Sequence, residues 1–254
     1  MSDFADLDVV GAPRELIALG GVLDPPTLVA AYRAGCFPWP ASGRHERSLE
    51  RSARRLARRG AVPLLPGTPP TGPLVPWCSP DPRAVLLTHS VTVPRSLRQR
   101  LRGSGWETTV DAAFGQVIAG CAARHETWIS PQMTAAYLAL HAAGGAHSLE
   151  VWDGDRLVGG LYGVLTGRVF SGESMFFAER DASKVALVDL CARLLAAGVV
   201  LLDTQQASPH LTALGQLLLH REQYVELVHR LRDDAAELDQ TRRPVARLTA
   251  HSSL

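Results

Sequence analysis

The chain has 254 residues and a formal net charge of +1, and 46% of its residues are hydrophobic. This length suits one large domain with a smaller one, and the apolar share is enough for a sizeable core. The near-zero charge excludes a global electrostatic field for nucleic acid, so any such site must come from local clusters of charge. Lys184 is the only lysine among 26 basic residues, a bias that favours genome composition over chemistry as its cause.

Cysteine usage and hydropathy indicate where the protein works. The four cysteines are widely spaced and form no C-x-x-C pair, so we expect no disulfide framework, no metal site and a reducing, cytoplasmic location. The N-terminus has neither the basic nor the apolar part of a signal peptide. The most apolar stretch, 185–202, is interrupted by Asp189 and Arg193 and predicts a helix followed by a strand, not a membrane span.

Residues 1–82 are predicted to form a small N-terminal domain. Residues 14–35 are predicted to be a short helical region, with a helix-start signal at Asp24-Pro25-Pro26, followed by a rigid aromatic turn over 35–40. An insertion at about 41–75 holds seven arginines and then a Pro/Gly-rich run. The arginine part can form a helix with most of its arginines on one face, but a disordered loop is favoured because blocks of like charge usually stay unfolded.

Residues 83–240 are predicted to form a larger α/β domain. A strand over 84–88 precedes helices over 94–102, 111–123 and 131–143. An antiparallel meander over 148–171 follows, with turns at 153–155 and 166–167. A helix over 184–197, an apolar strand over 199–203, helices over most of 209–239 and a poorly ordered tail over 241–254 complete the prediction.

The order of meander, helix and strand is typical of the acetyltransferase-like (GNAT-like) fold. We therefore expect an α/β (α+β) protein whose main sheet is mixed and largely antiparallel. This inference carries no function by itself, because one fold hosts many activities.

Polar residues at the ends of predicted buried strands are the candidates for chemistry. The chain has no nucleophile elbow, HExxH motif or P-loop, and no cofactor is expected. Glu173 should follow the third meander strand, and Asp203 and Gln205 should project together from the next one, with Thr204 on the other side. Carboxylates beside an amide suit an amine that attacks an ester without a covalent enzyme intermediate. The alternative is that these residues only cap their strands.

Eight motifs, in order and at similar spacing over residues 15–225, resemble those of the bacterial leucyl/phenylalanyl-tRNA–protein transferases. They are Leu19-Gly20-Gly21, Tyr32-Arg33-Ala34-Gly35-Cys36-Phe37-Pro38-Trp39, Trp77-Cys78-Ser79-Pro80-Asp81-Pro82-Arg83-Ala84, Phe114-Gly115-Gln116-Val117-Ile118, Thr127-Trp128-Ile129, His147-Ser148-Leu149-Glu150-Val151-Trp152, Gly172-Glu173-Ser174-Met175-Phe176 and Leu202-Asp203-Thr204-Gln205.

The resemblance implies transfer of Leu, Phe or sometimes Met from aminoacyl-tRNA to proteins that begin with Arg or Lys, which marks them for N-end-rule degradation. It also implies a small N-terminal domain packed on a GNAT-like domain, and we expect a monomer with no membrane contact. One alternative is a related transferase that acts on a non-protein amine such as a cell-wall precursor. Another is a tRNA-binding module without catalysis.

The resemblance also assigns residues. Asp203 would hold and orient the acceptor amine, with Gln205 or the tRNA 2′-OH relaying a proton and Glu173 nearby. Whether Asp203 is also the base that takes the proton is left open by the sequence. The aminoacyl pocket is expected at Leu161, Phe170, Leu190, Leu202 and Thr204. The 3′-terminal adenosine is expected among Trp39, Trp128, Tyr32 and Tyr137. The tRNA backbone is expected at Arg95, Arg98, Arg100 and Arg102, and the arginine-rich insertion would extend that surface if it is ordered.

Overall fold

The structure, a computed structural model, describes residues 3–40, 46–71, 73–124 and 127–250. Its strands are β1 (Leu16–Gly20), β2 (Phe37–Pro38), β3 (Leu64–Leu65), β4 (Pro76–Cys78), β5 (Arg83–Leu87), β6 (Glu107–Val110), β7 (Ala146–Asp153), β8 (Arg156–Thr166), β9 (Val169–Phe177), β10 (Leu201–Gln205), β11 (Leu217–Leu219) and β12 (Arg243–Pro244). Its α-helices are α1 (Pro25–Arg33), α2 (Glu46–Arg58), α3 (Arg95–Gly103), α4 (Phe114–Ala122), α5 (Pro131–Ala142), α6 (Ala182–Ala196), α7 (Pro209–Thr212) and α8 (Arg221–Leu231).

Two sheets organise the chain. The small sheet has the order β2-β4-β1-β3, and the large one has the order β11-β5-β10-β9-β8-β7-β6-β12. In the large sheet only β9 and β10 pair in parallel, and the other pairs are antiparallel. The predicted mixed α/β class with a largely antiparallel main sheet is therefore confirmed, whereas the GNAT-like assignment stays a prediction.

The large sheet separates two apolar cores, because successive side chains of a strand point to opposite faces. On β8, Tyr162 and Val164 pack on the face that carries α4 and α5, whereas Leu161 and Leu165 pack with α6 on the other face. The small sheet adds Trp77 to the first of these cores. The two sheets thus share one apolar layer.

The region before the first helix differs from its prediction. Leu16–Gly20 is a strand rather than part of a helix, because it pairs in parallel with β3 and antiparallel with β4. The predicted helix start is confirmed, since the side chain of Asp24 accepts a hydrogen bond from the backbone N–H of Thr27 at 3.0 Å. The aromatic turn after α1 contains the short strand β2.

The arginine-rich insertion contains a helix over Glu46–Arg58, so the helical interpretation is confirmed and the disordered loop is wrong for these residues. Residues 41–45 and 72, also part of the predicted insertion, lie outside the described residues. Arg51, Arg55 and Arg58 are exposed, and their spacing places them on one face of α2. Within the Pro/Gly-rich run of the insertion, Leu64 and Leu65 pair with β1.

The meander is confirmed, but its third strand is longer than predicted. β9 continues to Phe177, so Glu173 lies inside the strand rather than after it. The helix that follows spans Ala182–Ala196. The predicted helical region 209–239 holds the short α7, the strand β11 and the longer α8.

The prediction of a poorly ordered tail is wrong for residues 241–250, and residues 251–254 lie outside the described part of the chain. β12 pairs with β6, and Val245 and Leu248 are buried in the core beside α3 and α6. Buried Asp189 pairs with Arg193 and Arg247 and ties the tail to α6. The sequence pattern missed this because the contacts that order the tail are distant along the chain: Arg247 is 58 residues from Asp189, and Arg243 is 135 residues from Thr108 on β6.

Across the described ranges, no helix is both long and apolar enough to cross a membrane.

Candidate active site

A cavity of about 140 Å³ opens where β9 and β10 stop pairing. Their parallel register ends at the pair Asp203 and Ser171. Beyond that point, residues 172–175 of β9 and Thr204 and Gln205 of β10 line opposite sides of the opening. The end of the strand pairing therefore creates the space.

The cavity has apolar walls and a short polar edge. Its apolar lining consists of Leu161, Met175, Leu187, Leu190, Leu202 and Leu211. An apolar cavity of ~150 Å³ can hold a molecule such as benzene. The space therefore suits one branched aliphatic or phenyl side chain.

Four of the five predicted pocket residues line this cavity, namely Leu161, Leu190, Leu202 and Thr204. Phe170 is instead fully buried in the core. It is paired with Leu202, one pair before the last pair of the parallel register. Sequence reasoning missed Leu187, although it stands one helical turn before Leu190 on α6 and so shares its face.

Glu173 lies at the polar edge of the cavity and is only 7% exposed. Its carboxylate accepts hydrogen bonds from Tyr32 at 2.6 Å, from Tyr137 at 2.8 Å and from Nε2 of Gln205 at 2.8 Å. The hydroxyls of Tyr32 and Tyr137 also lie 2.6 Å apart. No local pattern predicts this arrangement, because Tyr32 is 141 residues away from Glu173.

Burial raises the pKa of Glu173 from its ordinary 4.5 to about 7, although hydrogen bonds from Tyr32 and Tyr137 oppose the shift. Burial also raises the pKa of both tyrosines well above 10, and the nearby Glu173 charge adds to that effect. Both tyrosines therefore keep their protons near neutral pH. Glu173 is the group of this cluster that exchanges a proton there.

Asp203 lies behind the cavity and is fully buried. Nε and Nη2 of Arg83 donate to its two oxygens at 2.8 and 2.6 Å. Tyr224, Ser171 and the backbone N–H of Gln205 donate to it as well, at 2.8, 3.2 and 2.9 Å. An ionised carboxylate offers about four acceptor sites, so these five hydrogen bonds saturate Asp203.

Arg83 is enclosed as tightly as its partner. Its guanidinium lies between the rings of Phe37 and Tyr224, at 4.7 and 4.3 Å from their centroids. Burial alone lowers the pKa of Arg83, but the adjacent Asp203 carboxylate outweighs that effect and holds it above its ordinary value. Both partners lie on neighbouring strands of the large sheet, β5 and β10, and the contact of Arg83 with Phe37 of β2 links the pair to the small sheet.

The prediction that Asp203 and Gln205 project together is wrong. Gln205 adopts a left-handed backbone conformation with φ of 64°, and the register of β10 against β5 shifts between the two residues. Strand alternation therefore fails at this point. Thr204 and Gln205 line the cavity, whereas the Asp203 carboxylate faces Arg83.

Tyr162 is a cavity residue that sequence reasoning missed. It is fully buried, and its hydroxyl has no hydrogen-bond partner among the described residues. Its ring meets those of Phe114 and Tyr137 edge-on. Within the described ranges, no group of three or more His, Cys, Asp or Glu residues could hold a metal ion.

Comparisons with known proteins agree on one family. A profile described as "Leucyl/phenylalanyl-tRNA protein transferase" matches residues 85–229, and a profile of that family's N-terminal domain matches residues 21–46. The leucyl/phenylalanyl-tRNA–protein transferase of Pseudomonas paraeruginosa is 42% identical over 238 residues, 92% of each chain. The protein of that name from Chromohalobacter salexigens is 44% identical over 218 residues, 84% of this chain and 74% of its own.

The chain belongs to the leucyl/phenylalanyl-tRNA–protein transferase family. Glu173, Asp203 and Gln205 lie inside the larger matched region, and Tyr32 lies inside the smaller one. The site thus combines both parts of the family's chain. Almost all of α2 falls between the two matched regions.

The residues that the family resemblance assigned to the 3′-adenosine do not share one environment. Tyr32 and Tyr137 are buried, with their hydroxyls at Glu173. Trp39 and Trp128 are partly exposed, and the Trp39 ring lies 5.9 Å from that of Phe37. Only the two tryptophans thus present ring surface to solvent.

The four predicted arginines of the basic helix α3 also do not share one environment. Arg95, Arg98 and Arg102 line an open surface groove of about 690 Å³. Arg100 points elsewhere, and its guanidinium lies 5.5 Å from the ring centroid of Trp106. Three of the four predicted arginines therefore form one surface.

Proposed function

We propose that this protein transfers Leu or Phe, and to a lesser degree Met, from aminoacyl-tRNA to the α-amine of an acceptor protein by direct aminolysis of the ester. The observation that carries the proposal is the 140 Å³ apolar cavity with Glu173 and Gln205 at its polar edge. The transferred side chain occupies the cavity, and the ester lies at that edge. No covalent enzyme intermediate is needed, because the ester is already activated.

The cavity supports selection by size. An apolar pocket separates side chains that differ by one methylene by only about 1–3 kcal/mol and discriminates isosteres poorly. A space walled by flexible Met175 and by leucines therefore accepts Leu, Phe and Met while it disfavours small side chains.

The second element of the proposal is a fixed Gln205. The Asp203 carboxylate holds its backbone N–H, and its side-chain N–H donates to Glu173. Its carbonyl oxygen has no partner among the described residues and can accept a hydrogen bond from the incoming amine. Asp203 then acts on the amine through Gln205, as a positioning residue rather than by contact.

The acceptor end of the tRNA is proposed to reach the cavity past Trp39 and Trp128. Stacking of a base on an aromatic ring contributes about 1–3 kcal/mol. Arg95, Arg98 and Arg102 face solvent as one groove, and within the described ranges none has an acidic partner. Contacts from such a surface to the RNA backbone are independent of base sequence, which suits several tRNA substrates.

The exposed face of α2 is proposed to add to this tRNA surface. Arg51, Arg55 and Arg58 have no acidic partner in the part of the chain that the structure describes. Replacing all three by Gln should weaken binding of deacylated tRNA and flatten its salt dependence. An unchanged slope of log K against log salt would argue against this role of α2.

The finer features of the function are also proposals. Acceptors are proposed to begin with Arg or Lys, because a carboxyl group at the cavity edge favours a cationic neighbour. The protein is proposed to act as a monomer in the cytoplasm and to mark its substrates for N-end-rule degradation.

The test is incubation of the protein with radiolabelled Leu-tRNA and a peptide that begins with Arg. Labelled Leu-Arg-peptide is expected, and no product is expected when the peptide's α-amine is acetylated. A lysine-containing cell-wall precursor in competition separates the related function on a non-protein amine. Absence of product with active tRNA and with several basic acceptors would contradict the proposal.

A further inference from the structure

The geometry points to Glu173 as the group that removes the proton from the acceptor's ammonium, with Tyr32 and Tyr137 closing a ring of hydrogen bonds that holds this proton. This inference rests on the proposed aminoacyl transfer. It names the group that takes the proton from the acceptor ammonium, which the sequence-based roles of Asp203 and Gln205 do not decide. It follows from a count of protons among three oxygen-bearing groups.

The ring consists of Glu173, Tyr32 and Tyr137. Its three contacts are Tyr32 to Glu173 at 2.6 Å, Tyr137 to Glu173 at 2.8 Å and Tyr32 to Tyr137 at 2.6 Å. Each contact is short enough to need a hydrogen between its oxygens. When Glu173 is ionised, the ring contains only two protons, one on each tyrosine hydroxyl, for three oxygen–oxygen contacts. One of the three contacts therefore has no hydrogen between its oxygens.

A third proton on Glu173 removes this deficit. The carboxyl group then donates to one tyrosine, that tyrosine donates to the other, and the second tyrosine donates back to the other carboxyl oxygen. Every contact has one hydrogen and every hydroxyl donates once. The cluster is therefore built to accommodate a protonated Glu173, and it keeps two donors on the carboxylate when Glu173 is ionised.

The groups around Glu173 favour exchange of this proton near neutral pH. Within the described ranges no cation forms an ion pair with Glu173, and its direct partners are the neutral Tyr32, Tyr137 and Gln205. Burial raises the pKa of Glu173 to about 7, and the more distant charges of Asp203 and Arg83 act in opposite directions.

The remaining ionisable neighbours do not replace Glu173. Tyr162 on β8 is buried, and burial raises its pKa well above 10. Burial raises the pKa of Tyr224 above its ordinary value as well, and its hydroxyl donates to Asp203. Asp203 itself is saturated by five donors and forms a salt bridge with Arg83. Of the two carboxyl groups, only Glu173 lines the cavity.

The step balances without any co-reactant. The ammonium gives one proton to the Glu173 carboxylate, and its nitrogen lone pair attacks the ester carbon. The C–N bond forms and the bond from that carbon to the ribose 3′-oxygen breaks. The nitrogen's second proton goes to the departing 3′-oxygen, and Glu173 later releases its proton to solvent.

The test compares pH profiles of single-turnover transfer at saturating Leu-tRNA, with one acceptor peptide throughout. Tyr137→Phe removes a donor that lowers the pKa of Glu173, and the loss of this charge-assisted hydrogen bond outweighs the relief of the Tyr32–Tyr137 contact. The acid limb should therefore move to higher pH by about one unit. Glu173→Gln should lower the rate by about 10²- to 10⁴-fold. The peptide's own amine is the same in every profile and cancels from the shift.

Tyr224→Phe is the matched control, because it removes one buried tyrosine hydroxyl from Asp203 instead of Glu173. It can lower the rate, but it should leave the midpoint of the acid limb in place. A shift with Tyr224→Phe and none with Tyr137→Phe would assign the proton to Asp203 and overturn the inference. A uniform loss of rate in both variants, without any shift, would reduce Glu173 to a structural role and overturn it too.

An infrared titration separates this inference from the proposed function. A protonated-carboxyl band that Glu173→Gln removes should be present at pH 6 and decline with a midpoint near pH 7. Absence of the band at pH 6 would overturn the stored proton even if transfer proceeds. Absence of transfer by the wild type at every pH would instead overturn the proposed function, and with it the role of Glu173 in transfer.

Discussion

Asp203 and Glu173 are buried carboxyl groups on neighbouring strands, yet their surroundings favour opposite charge behaviour. Asp203 faces a buried guanidinium and accepts five hydrogen bonds. Glu173 faces only neutral donors, borders the cavity and has a pKa raised by burial to about 7. The first carboxylate is fixed as a charge, and the second is left able to gain and lose a proton.

This difference shows that the position of a carboxylate near a cavity does not by itself define its role. An ion pair that is satisfied on all sides makes a rigid support, because any movement would leave a buried charge unpaired. A carboxyl group held by hydroxyls loses less when it changes its charge. Asp203 holds the backbone N–H of Gln205 in place, whereas Glu173 lines the cavity and is available to the substrate.

The largest expected effect comes from removing the charge of Asp203. Asp203→Asn leaves the Arg83 guanidinium buried without a counter-charge, which should lower the free energy of unfolding by about 3–5 kcal/mol. Urea denaturation at pH 7 measures this loss.

Two companions sharpen that test. Asp233→Asn breaks the surface pair with Arg33, whose partner carboxylate is 70% exposed, and it should leave the unfolding midpoint nearly unchanged. The double variant Arg83→Met with Asp203→Leu removes both charges and should recover much of the stability. A single Asp203→Asn as stable as the wild type would contradict the view of this pair as the rigid support.

The second effect is a dependence of stability on pH that Glu173 should cause. Its pKa in the folded protein, about 7, lies above its ordinary value of 4.5, so the folded state binds the proton more tightly than the unfolded state. Its contribution is complete below about pH 4.5 and is lost as pH rises through 7, by on the order of 3 kcal/mol.

Glu173→Gln should remove this dependence of the free energy of unfolding on pH. Unfolding measured from pH 5 to pH 8 in the two proteins isolates the contribution, because every other titrating group is common to both. Parallel curves for wild type and Glu173→Gln would show that Glu173 titrates at an ordinary pKa, and the contrast with Asp203 would then fail.

The sequence could predict the positions of these carboxyl groups better than the partners that determine their roles. Local periodicity predicts the meander, α6 and the apolar strand, so it places Glu173, Asp203 and Gln205 near one another. The partners that decide their roles are distant along the chain, since Arg83 is 120 residues from Asp203 and Tyr32 is 141 residues from Glu173.

Two local failures have the same origin. Leu16–Gly20 lies in a stretch that the sequence predicts as helical, and its pairing with Leu64–Leu65 and Pro76–Cys78 makes it a strand instead. The orientation of Gln205 depends on a left-handed backbone that strand alternation does not anticipate. Distant pairing and single-residue backbone changes leave no periodic signal in the sequence.

A smaller effect should distinguish the two tyrosines that donate to these carboxyl groups at 2.8 Å. A hydrogen bond to a charged group contributes about 1.5–3 kcal/mol and one between neutral groups about 1 kcal/mol. Tyr224→Phe should therefore cost about 1.5–3 kcal/mol at pH 6 and at pH 8. Tyr137→Phe should cost about 1 kcal/mol at pH 6, where Glu173 is mostly protonated, and more at pH 8.

The measurement is again urea unfolding of each variant against the wild type at the two pH values. The informative quantity is the change in cost between pH 6 and pH 8, because differences in packing of the two rings cancel from it. An equal change for both tyrosines would mean that their two carboxyl partners respond alike to pH.

The smallest expected effect concerns Tyr162, whose hydroxyl is buried beside the same cavity and has no partner among the described residues. An unsatisfied buried hydroxyl costs about 1–3 kcal/mol. Tyr162→Phe keeps the ring against Phe114 and Tyr137 and removes that cost, so the variant should be more stable than the wild type by about 1 kcal/mol.

Thermal unfolding of Tyr162→Phe measures this gain. Tyr137→Phe is the control, because its stability should fall rather than rise relative to the wild type. The two variants differ only in whether the lost hydroxyl had a partner in the free protein. A loss of stability in Tyr162→Phe would reveal a hydrogen bond of this hydroxyl in solution. A gain of stability together with slower transfer would instead indicate that the hydroxyl is retained for the substrate, at the expense of the fold.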